Sequence, residues 1–367
     1  MISPVPMFGI RPRVAVWARR VGKDDRRMSR KKPLSEQVVV IGGGSYGLGR
    51  AIAERAKGRG ARVVIGARTQ EALESAAVDV AVETDVADRS QVERLVTAAV
   101  DRFGRVDTYI ANAMVTVYSE AHRLDDEELR RVFDVNFFGA VYGYWAALPH
   151  LRASRGTFVQ IASALSYRGI PLQAAYCSSK AALRTFFETA RVELAKEQSG
   201  VDISVILPGA INTPQFDRAR QKMGLQPQPV PPIYEPEPFA DGVLHCCEKP
   251  IRELPLGWGA QKLLWGQKVS PRAGDFVLLR NGWKGQHTDE LKPTGSPDNL
   301  FEPMPGDPGA HGRFGDQSRA TTAWTWLRLR RGKVGAALGL GTMGVLAGLS
   351  GRYPPRKGMS QTWRFWS

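Results

Sequence analysis

The sequence predicts an α/β protein built on a doubly wound parallel sheet. Three observations carry that prediction. Short, continuously apolar runs recur between residues 37 and 256, segments of helical length separate them, and a glycine-rich turn follows the first run directly. Continuous apolar runs suit strands buried on both faces, as parallel strands are when crossover helices cover them.

Val38–Ile41 is the first such run and predicts the opening strand. A helix is expected from about Leu48 to Lys57, then a strand over Arg62–Ala67. Further strands are expected at Ala81–Glu83, Val106–Ala111, Thr157–Ala162 and Val201–Leu207. Gln91–Phe103, Glu128–Leu151 and Ala174–Gln198 are long enough to be the crossover helices between them. Seven prolines between Pro214 and Pro238 read as a stiff loop over the sheet. Ala240, Val243, Leu244 and Cys247 recur at helical spacing, and Glu253–Leu256 suits a last short strand. The catalytic domain is thus expected over 37–260, between a basic disordered tail at 1–36 and a Gly/Pro-rich appendage at 261–312. No chemistry is legible in that appendage. A basic, Gly-rich tail occupies 313–367.

Apolar residues make up 43% of the 367, enough for a sizeable core and against a wholly disordered chain. The net charge of +15 suggests nucleic acid until it is located. Residues 1–36 hold ten Lys/Arg against three Asp/Glu, and residues 313–367 hold ten against one, so residues 37–312 are close to neutral. The central domain therefore has no electrostatic footprint for nucleic acid, and none is expected as a partner. Three cysteines, two of them adjacent, exclude a disulfide scaffold and suit a reducing, cytoplasmic setting. No His/Cys spacing suggests a metal.

Gly43, Gly47 and Gly49 open the helix after the first strand, with Ser45, Tyr46 and Leu48 in the same turn. Glycine there lets backbone N–H groups approach a pyrophosphate at the positive end of a helix dipole. The spacing is Gly-x-x-x-Gly-x-Gly, and here the chain resembles the short-chain dehydrogenase/reductase family. The likeness continues through Asp85-Val86, Asn112-Ala113, Asn136, Ser163, Tyr176, Lys180, Pro208-Gly209 and Thr213, in the family's order. It spans roughly residues 37–256. Gly309–Phe314 also resembles a branch of the family with a C-terminal extension. The resemblance implies a Rossmann-type catalytic domain, a nicotinamide cofactor, a small-molecule substrate and an even-numbered homo-oligomer.

The same resemblance implies roles. Asp85 faces the adenine edge, Thr213 the nicotinamide carboxamide, and Asn136 holds a water against Lys180 in a proton relay. Lys180 also binds the ribose. Arg68 stands where the family usually has an acidic residue for the adenosine 2′-hydroxyl. A guanidinium can bind a 2′-phosphate that a carboxylate would repel, which favours NADP(H) over NAD(H). The chain departs from the family pattern at Gly42, Ala111 and Met114. Those changes touch the cleft floor and leave the proton-transfer residues intact.

Tyr176 and Lys180 lie four residues apart on an expected helix and so share a face. Lowering a tyrosine pKa from about 10 by about three units requires roughly 4 kcal/mol. An ammonium about 5 Å away supplies roughly 3 kcal/mol at an effective dielectric of about 20. Ser163, at the end of the Thr157–Ala162 strand, can hydrogen-bond a substrate oxygen; Ser166 is its rival. Cys177 reads as a small buried hydrophobe. Met114, Val115, Tyr118, Leu165, Tyr167, Phe216, Ile233 and Tyr234 are the candidate pocket walls and suggest an apolar carbonyl or alcohol substrate.

The expected activity is NADP-dependent interconversion of a ketone or aldehyde with an alcohol. The alternative is a catalytically silent dinucleotide-binding regulatory or scaffold protein. Residues 334–351 are uncharged, with six glycines. They suit a flexible tail or subunit contact better than peripheral membrane attachment, which stands as the alternative for residues 313–367.

Overall fold

The structure, a computed structural model, describes residues 31–320 together with Thr325 and Leu329. Two units divide the chain, Met1–Thr325 and Trp326–Ser367, and the sheet belongs to the first. The expected tail segments 1–30 and 330–367, including the Gly-rich stretch 334–351, lie outside the described residues.

Strand β1 (Val38–Gly42) leads through helix α1 (Gly47–Gly58) to β2 (Arg62–Ala67) and then β3 (Val80–Glu83). Helix α2 (Arg89–Phe103) returns the chain to β4 (Thr108–Ala111). Helices α3 (Asp126–Phe133) and α4 (Gly139–Ser154) precede β5 (Thr157–Ile161). Helix α5 (Ala174–Lys196) leads to β6 (Asp202–Pro208), and α6 (Pro236–Glu248) to β7 (Glu253–Leu256). Two further helices, α7 (Trp258–Val269) and α8 (Pro271–Asn281), close the described architecture.

These seven strands form one sheet in the order β7-β6-β5-β4-β1-β2-β3, with every neighbour parallel. Strand order reverses between β1 and β4, which opens a crevice beyond their C-terminal ends. The apolar runs explain the sheet's burial. Val38–Ile41 is buried on both faces, whereas edge strand β3 alternates half-buried and exposed positions. One face carries α2, α4 and α5, whose apolar stripes close over Val38, Val40, Tyr109, Phe158, Val205 and Leu207. Tyr109, Phe158 and Phe187 stack through that layer, with ring centroids 5.5 and 4.9 Å apart. Helices α1 and α6 pack together on the other face, joined by Arg55 Nε and Asp241 Oδ1 at 2.6 Å.

Three parts of the chain gain detail. The continuous helix expected over Glu128–Leu151 is interrupted by a π-helical turn at Asp134–Phe138, which carries Asn136. Residues 31–36, assigned to the basic tail, are tied down where they are described. Leu34 is buried, and Lys31 Nζ pairs with Asp202 Oδ2 at 2.7 Å. Residues 261–312, expected as an appendage, supply most of α7, all of α8 and a strand, His287–Leu291, paired with Leu225–Pro227.

Gly49 tests the close packing at the first turn. A Cβ there would lie 2.0 Å from the carbonyl oxygen of Gly43. Gly49→Ala is expected to lower unfolding free energy by about 3 kcal/mol in urea denaturation. Gly58→Ala, with nothing within 4 Å of the new carbon, is expected to be neutral or slightly stabilising. Equal effects at the two positions would contradict the packing argument.

Candidate active site

The first wall of the site is made by two backbone turns that meet. Gly43 has φ 84°, and a Cβ on it would lie 2.5 Å from Ala113 Cα. The Asn112 side-chain amide donates to Gly43 O at 2.7 Å, while the Asn112 and Ala113 N–H groups donate to Gly42 O at 2.9 and 2.8 Å. The turn after β1 is thereby pinned to the turn after β4. Ser45, Tyr46, Gly47 and Leu48 then line the cleft at the N-terminus of α1, where the positive end of the helix dipole favours an anion. Gly49, counted with the cofactor residues by sequence, does not line the cleft; it lies behind the turn and permits its closure. This glycine turn, held closed where side chains at Gly43 and Gly49 would force it apart, fits a dinucleotide pyrophosphate.

Arg68, Asp85 and Val86 lie together at the next part of the cleft. The Arg68 guanidinium donates to Phe301 O at 2.8 Å and to Asn299 O at 2.5 Å. Burial lowers its pKa from the ordinary value, and the Asp85 carboxylate opposes that shift. Asp85 itself pairs with Arg131 at 2.6 Å.

The reacting groups converge at the C-terminal end of β5. Ser163 follows that strand and accepts from Leu165 N at 3.1 Å, capping a short 3-10 turn. Its hydroxyl lies near enough to the Tyr176 phenol to favour the ionised form of that group. One turn along α5, Lys180 is 1% exposed. Its ammonium donates to Ile161 O at 2.9 Å and lies 5.7 Å from the centroid of the Tyr176 ring. Burial dominates both groups: it pushes the Tyr176 phenol up to about 12 and Lys180 down to about 7. The sequence argument expected the ammonium to lower the phenol. Desolvation outweighs it here, because taking both groups out of water favours both neutral forms.

Asn136 is fully partnered through its side chain. Its Oδ1 accepts from Val115 N at 2.8 Å, and its Nδ2 donates to Val115 O at 3.0 Å and Ser179 Oγ at 3.1 Å. The side chain is thus committed to bracing α5 against the loop after β4, and it does not line the cleft. Ser166, the rival of Ser163, is buried off the cleft with its hydroxyl unpartnered. Cys177 is buried with its thiol pushed up to about 11, as suits an inert side chain.

Pro208, Gly209 and Thr213 line the opposite lip of the cleft. Met114, Val115, Tyr118, Leu165 and Phe216 form apolar wall as expected, within a cleft of about 490 Å³. Tyr167, Ile233 and Tyr234 do not reach it. Tyr167 turns to Glu253 Oε2 at 2.6 Å, and Ile233–Tyr234 forms a short strand against Ser318–Arg319.

Sequence reasoning missed the contribution of residues 261–312. Leu263, Val277, Leu278, Asn299, Pro303 and Met304 all line the cleft. The segment 298–312 runs along its adenosine end as a strap. Asn299 Nδ2 donates to Tyr46 Oη at 2.9 Å, Arg218 donates to Met304 O and Pro305 O at 3.0 Å each, and Gly47 N donates to Gly309 O at 3.0 Å. His311 Nε2 meets Glu237 Oε1 at 2.8 Å and fastens the strap to the start of α6. These are mostly bonds to backbone carbonyls, which leave no mark in residue spacing. The likeness of Gly309–Phe314 to a C-terminally extended branch was the one sequence signal.

Comparison with known proteins gives the same answer as the geometry. The short chain dehydrogenase family profile matches residues 37–224. Uncharacterized oxidoreductase YxnA of Bacillus subtilis (strain 168) is 35% identical over 269 residues, which cover 70% of this chain and 76% of that protein. 11-beta-hydroxysteroid dehydrogenase 1A of Arabidopsis thaliana is 36% identical over 187 residues, 48% of this chain; the match spans 53% of the plant protein's length. A short chain dehydrogenase from Burkholderia cenocepacia J2315, solved in complex with NADP, superimposes with a TM-score of 0.58 at 29% identity, over 68% of this chain and 99% of that one. A parallel sheet in this order, a glycine cradle at its switch point and a likeness of this extent have one reading: the chain belongs to the short-chain dehydrogenase family of oxidoreductases.

Proposed function

We propose that this protein interconverts a ketone or aldehyde with an alcohol, using NADP(H). The observation that carries the reading is the convergence of Ser163, Tyr176 and Lys180 at the end of β5, on the cleft that the glycine turn opens. A bound nicotinamide would supply or accept the hydride; Gly43, Ser45, Tyr46, Gly47, Leu48, Asn112, Ala113 and Thr213 are placed to hold the dinucleotide.

Tyr176 donates its phenolic proton to the substrate oxygen during reduction and recovers it during oxidation. Ser163, at the same part of the cleft, binds the same oxygen and stabilises the charge that develops there. Protonated Lys180, at 5.7 Å from the ring, offers the phenolate about 3 kcal/mol at an effective dielectric of about 20. The carbonyl of Ile161 fixes the ammonium in place for this. Asn136 positions α5 through Val115 and Ser179.

Arg68 supports NADP(H) over NAD(H), since its guanidinium lies beside β2 on the cleft. NADP in the Burkholderia cenocepacia structure agrees with this reading. The apolar wall supports a hydrophobic substrate, and the names of the plant relatives make a steroid ketone a sensible member of the test panel. Exposed Phe138, Trp145 and Val192 on the π-helical turn, α4 and α5 support self-assembly through that face.

Tyr176→Phe is expected to lose about a thousandfold in kcat while binding NADPH as the parent does. Absorbance at the nicotinamide band and a fluorescence titration read the two quantities; retained turnover would refute the mechanism. Arg68→Ala is expected to raise the KM for NADPH about twentyfold and to leave that for NADH nearly unchanged. An equal change for both cofactors argues against the preference.

Lys180 gives a pH test. Its pKa falls from 10.5 to about 7 in the folded chain, so the folded state resists protonation that the unfolded chain accepts. Stability from this group is present above 10.5 and is lost as pH falls toward about 7. Lys180→Met removes the titration. The variant's Tm relative to the parent is expected to be highest below about 7 and to decline as pH rises toward 10.5. A difference independent of pH across that window would mean that Lys180 titrates normally.

A further inference from the structure

Helices α7 and α8 carry an unusual surface. Helix α8 has no buried residue. Phe276 is 55% exposed, Leu279 72% and Val269 84%, and Trp265 and Trp283 are exposed beside them. Along α7, Trp258, Lys262, Trp265 and Val269 recur at i, i+4, i+7 and i+11. Along α8 and just past its end, Arg272, Phe276, Leu279 and Trp283 repeat the same spacing. Each helix therefore presents one stripe of three large apolar side chains and one base.

Charge on this hairpin is of one sign. Lys262, Lys268, Arg272, Arg280 and Lys284 are all exposed, and the one acidic residue from 257 to 286, Asp275, is paired with Arg168. The Arg280 guanidinium lies over the Phe276 ring, 4.3 Å from its centroid, in a cation–π contact on the exposed face. No helix among the described residues is long and apolar enough to cross a membrane. Trp, Leu and Phe interleaved with Lys and Arg suit the zone between headgroups and acyl chains, where the apolar groups leave water and the bases meet lipid phosphates.

We propose that the α7–α8 hairpin docks this protein onto an anionic phospholipid surface, lying in the interface and not spanning the bilayer. Charge complementarity selects this occupant. A second copy of the chain would set the same cluster of bases against itself, and like charges across an interface are repulsive. The hairpin is also continuous with the cleft, since Leu263, Val277 and Leu278 line it. On the reading of the reaction given above, an apolar substrate dissolved in the bilayer would reach the cleft from the docked face.

Co-sedimentation of the full chain with vesicles tests the proposal. The chain is expected to sediment with phosphatidylcholine vesicles that contain phosphatidylserine, and weakly with phosphatidylcholine alone. Phe276→Ser with Leu279→Ser, both exposed and off the cleft, is expected to weaken that binding at least tenfold. Replacing Lys268, Arg272 and Arg280 by Gln is expected to cost about fivefold for each base. Failure of the parent to sediment overturns the proposal. So does unchanged binding in the double variant, which would place the lipid contact elsewhere in the chain. A concentration-dependent self-association that the double variant abolishes, without lipid binding, assigns the face to a second copy and also overturns it. Turnover of a water-soluble carbonyl, measured alongside, separates the two claims. Vesicle binding with no turnover in the parent would sink the proposed reaction and leave docking standing.

Discussion

Two backbone turns meet beyond β1 and β4 at a separation that only a glycine Cα permits. Asn112 reaches across to Gly43 O at 2.7 Å, and the space where a Gly49 side chain would stand is already filled by the same carbonyl. The sheet's strand order puts these turns side by side; the glycines let them touch. The rest of the site is built from that contact. It fixes the N-terminus of α1 as one wall of the cleft, and it sets the distance across which Ser163, Tyr176 and Lys180 face that wall. Met114, where the family pattern has glycine, lies on the cleft surface and leaves the contact itself intact.

Electrostatics at the other wall follow from burial. Lys180 is almost wholly out of water, with the Ile161 carbonyl accepting from its ammonium. Tyr176 is half-buried on the cleft beside it, and loss of solvent shifts its phenol toward the neutral form. A protonated phenol can donate to a carbonyl oxygen, the part proposed for it in reduction. The reverse reaction needs positive charge near the phenol to offset desolvation, and Lys180 is the group placed to provide it. Asn136 has a mechanical place in this arrangement. Its three hydrogen bonds tie the π-helical turn and the Val115 loop to α5, the helix that carries both reacting side chains.

The segment after β7 changes what the cleft is. A sheet and its crossover helices would leave the adenosine end open to solvent along one side. Here the strap around Asn299–Gly309 runs across that end and takes hydrogen bonds from Arg68, Arg218 and the backbone of Gly47. Arg68 thereby ties the strap to the end of β2 on the cleft. The α7–α8 hairpin walls the substrate end with Leu263, Val277 and Leu278 while turning apolar and basic side chains outward.

Much of this was written in residue order. The apolar runs Val38–Ile41 and Thr157–Ile161 specify buried strands because parallel strands between helix layers have no solvent face. The glycine spacing after β1, and Tyr176 and Lys180 one helical turn apart, are local patterns that a linear reading can find. Other features depend on which surfaces meet after folding. Asn136 reads as a relay residue in sequence, but its partners Val115 and Ser179 come from other elements. The tyrosine and lysine shifts reflect enclosure, which no pairwise spacing encodes. The strap binds through its carbonyls, and backbone oxygens are the same in every residue. Sequence by itself determined the sheet, the cradle and the reacting pair, because each is a short-range pattern of side-chain types. Tertiary structure alone decided the protonation balance, the role of Asn136 and the closure of the cleft, because each depends on distances between segments far apart in the chain.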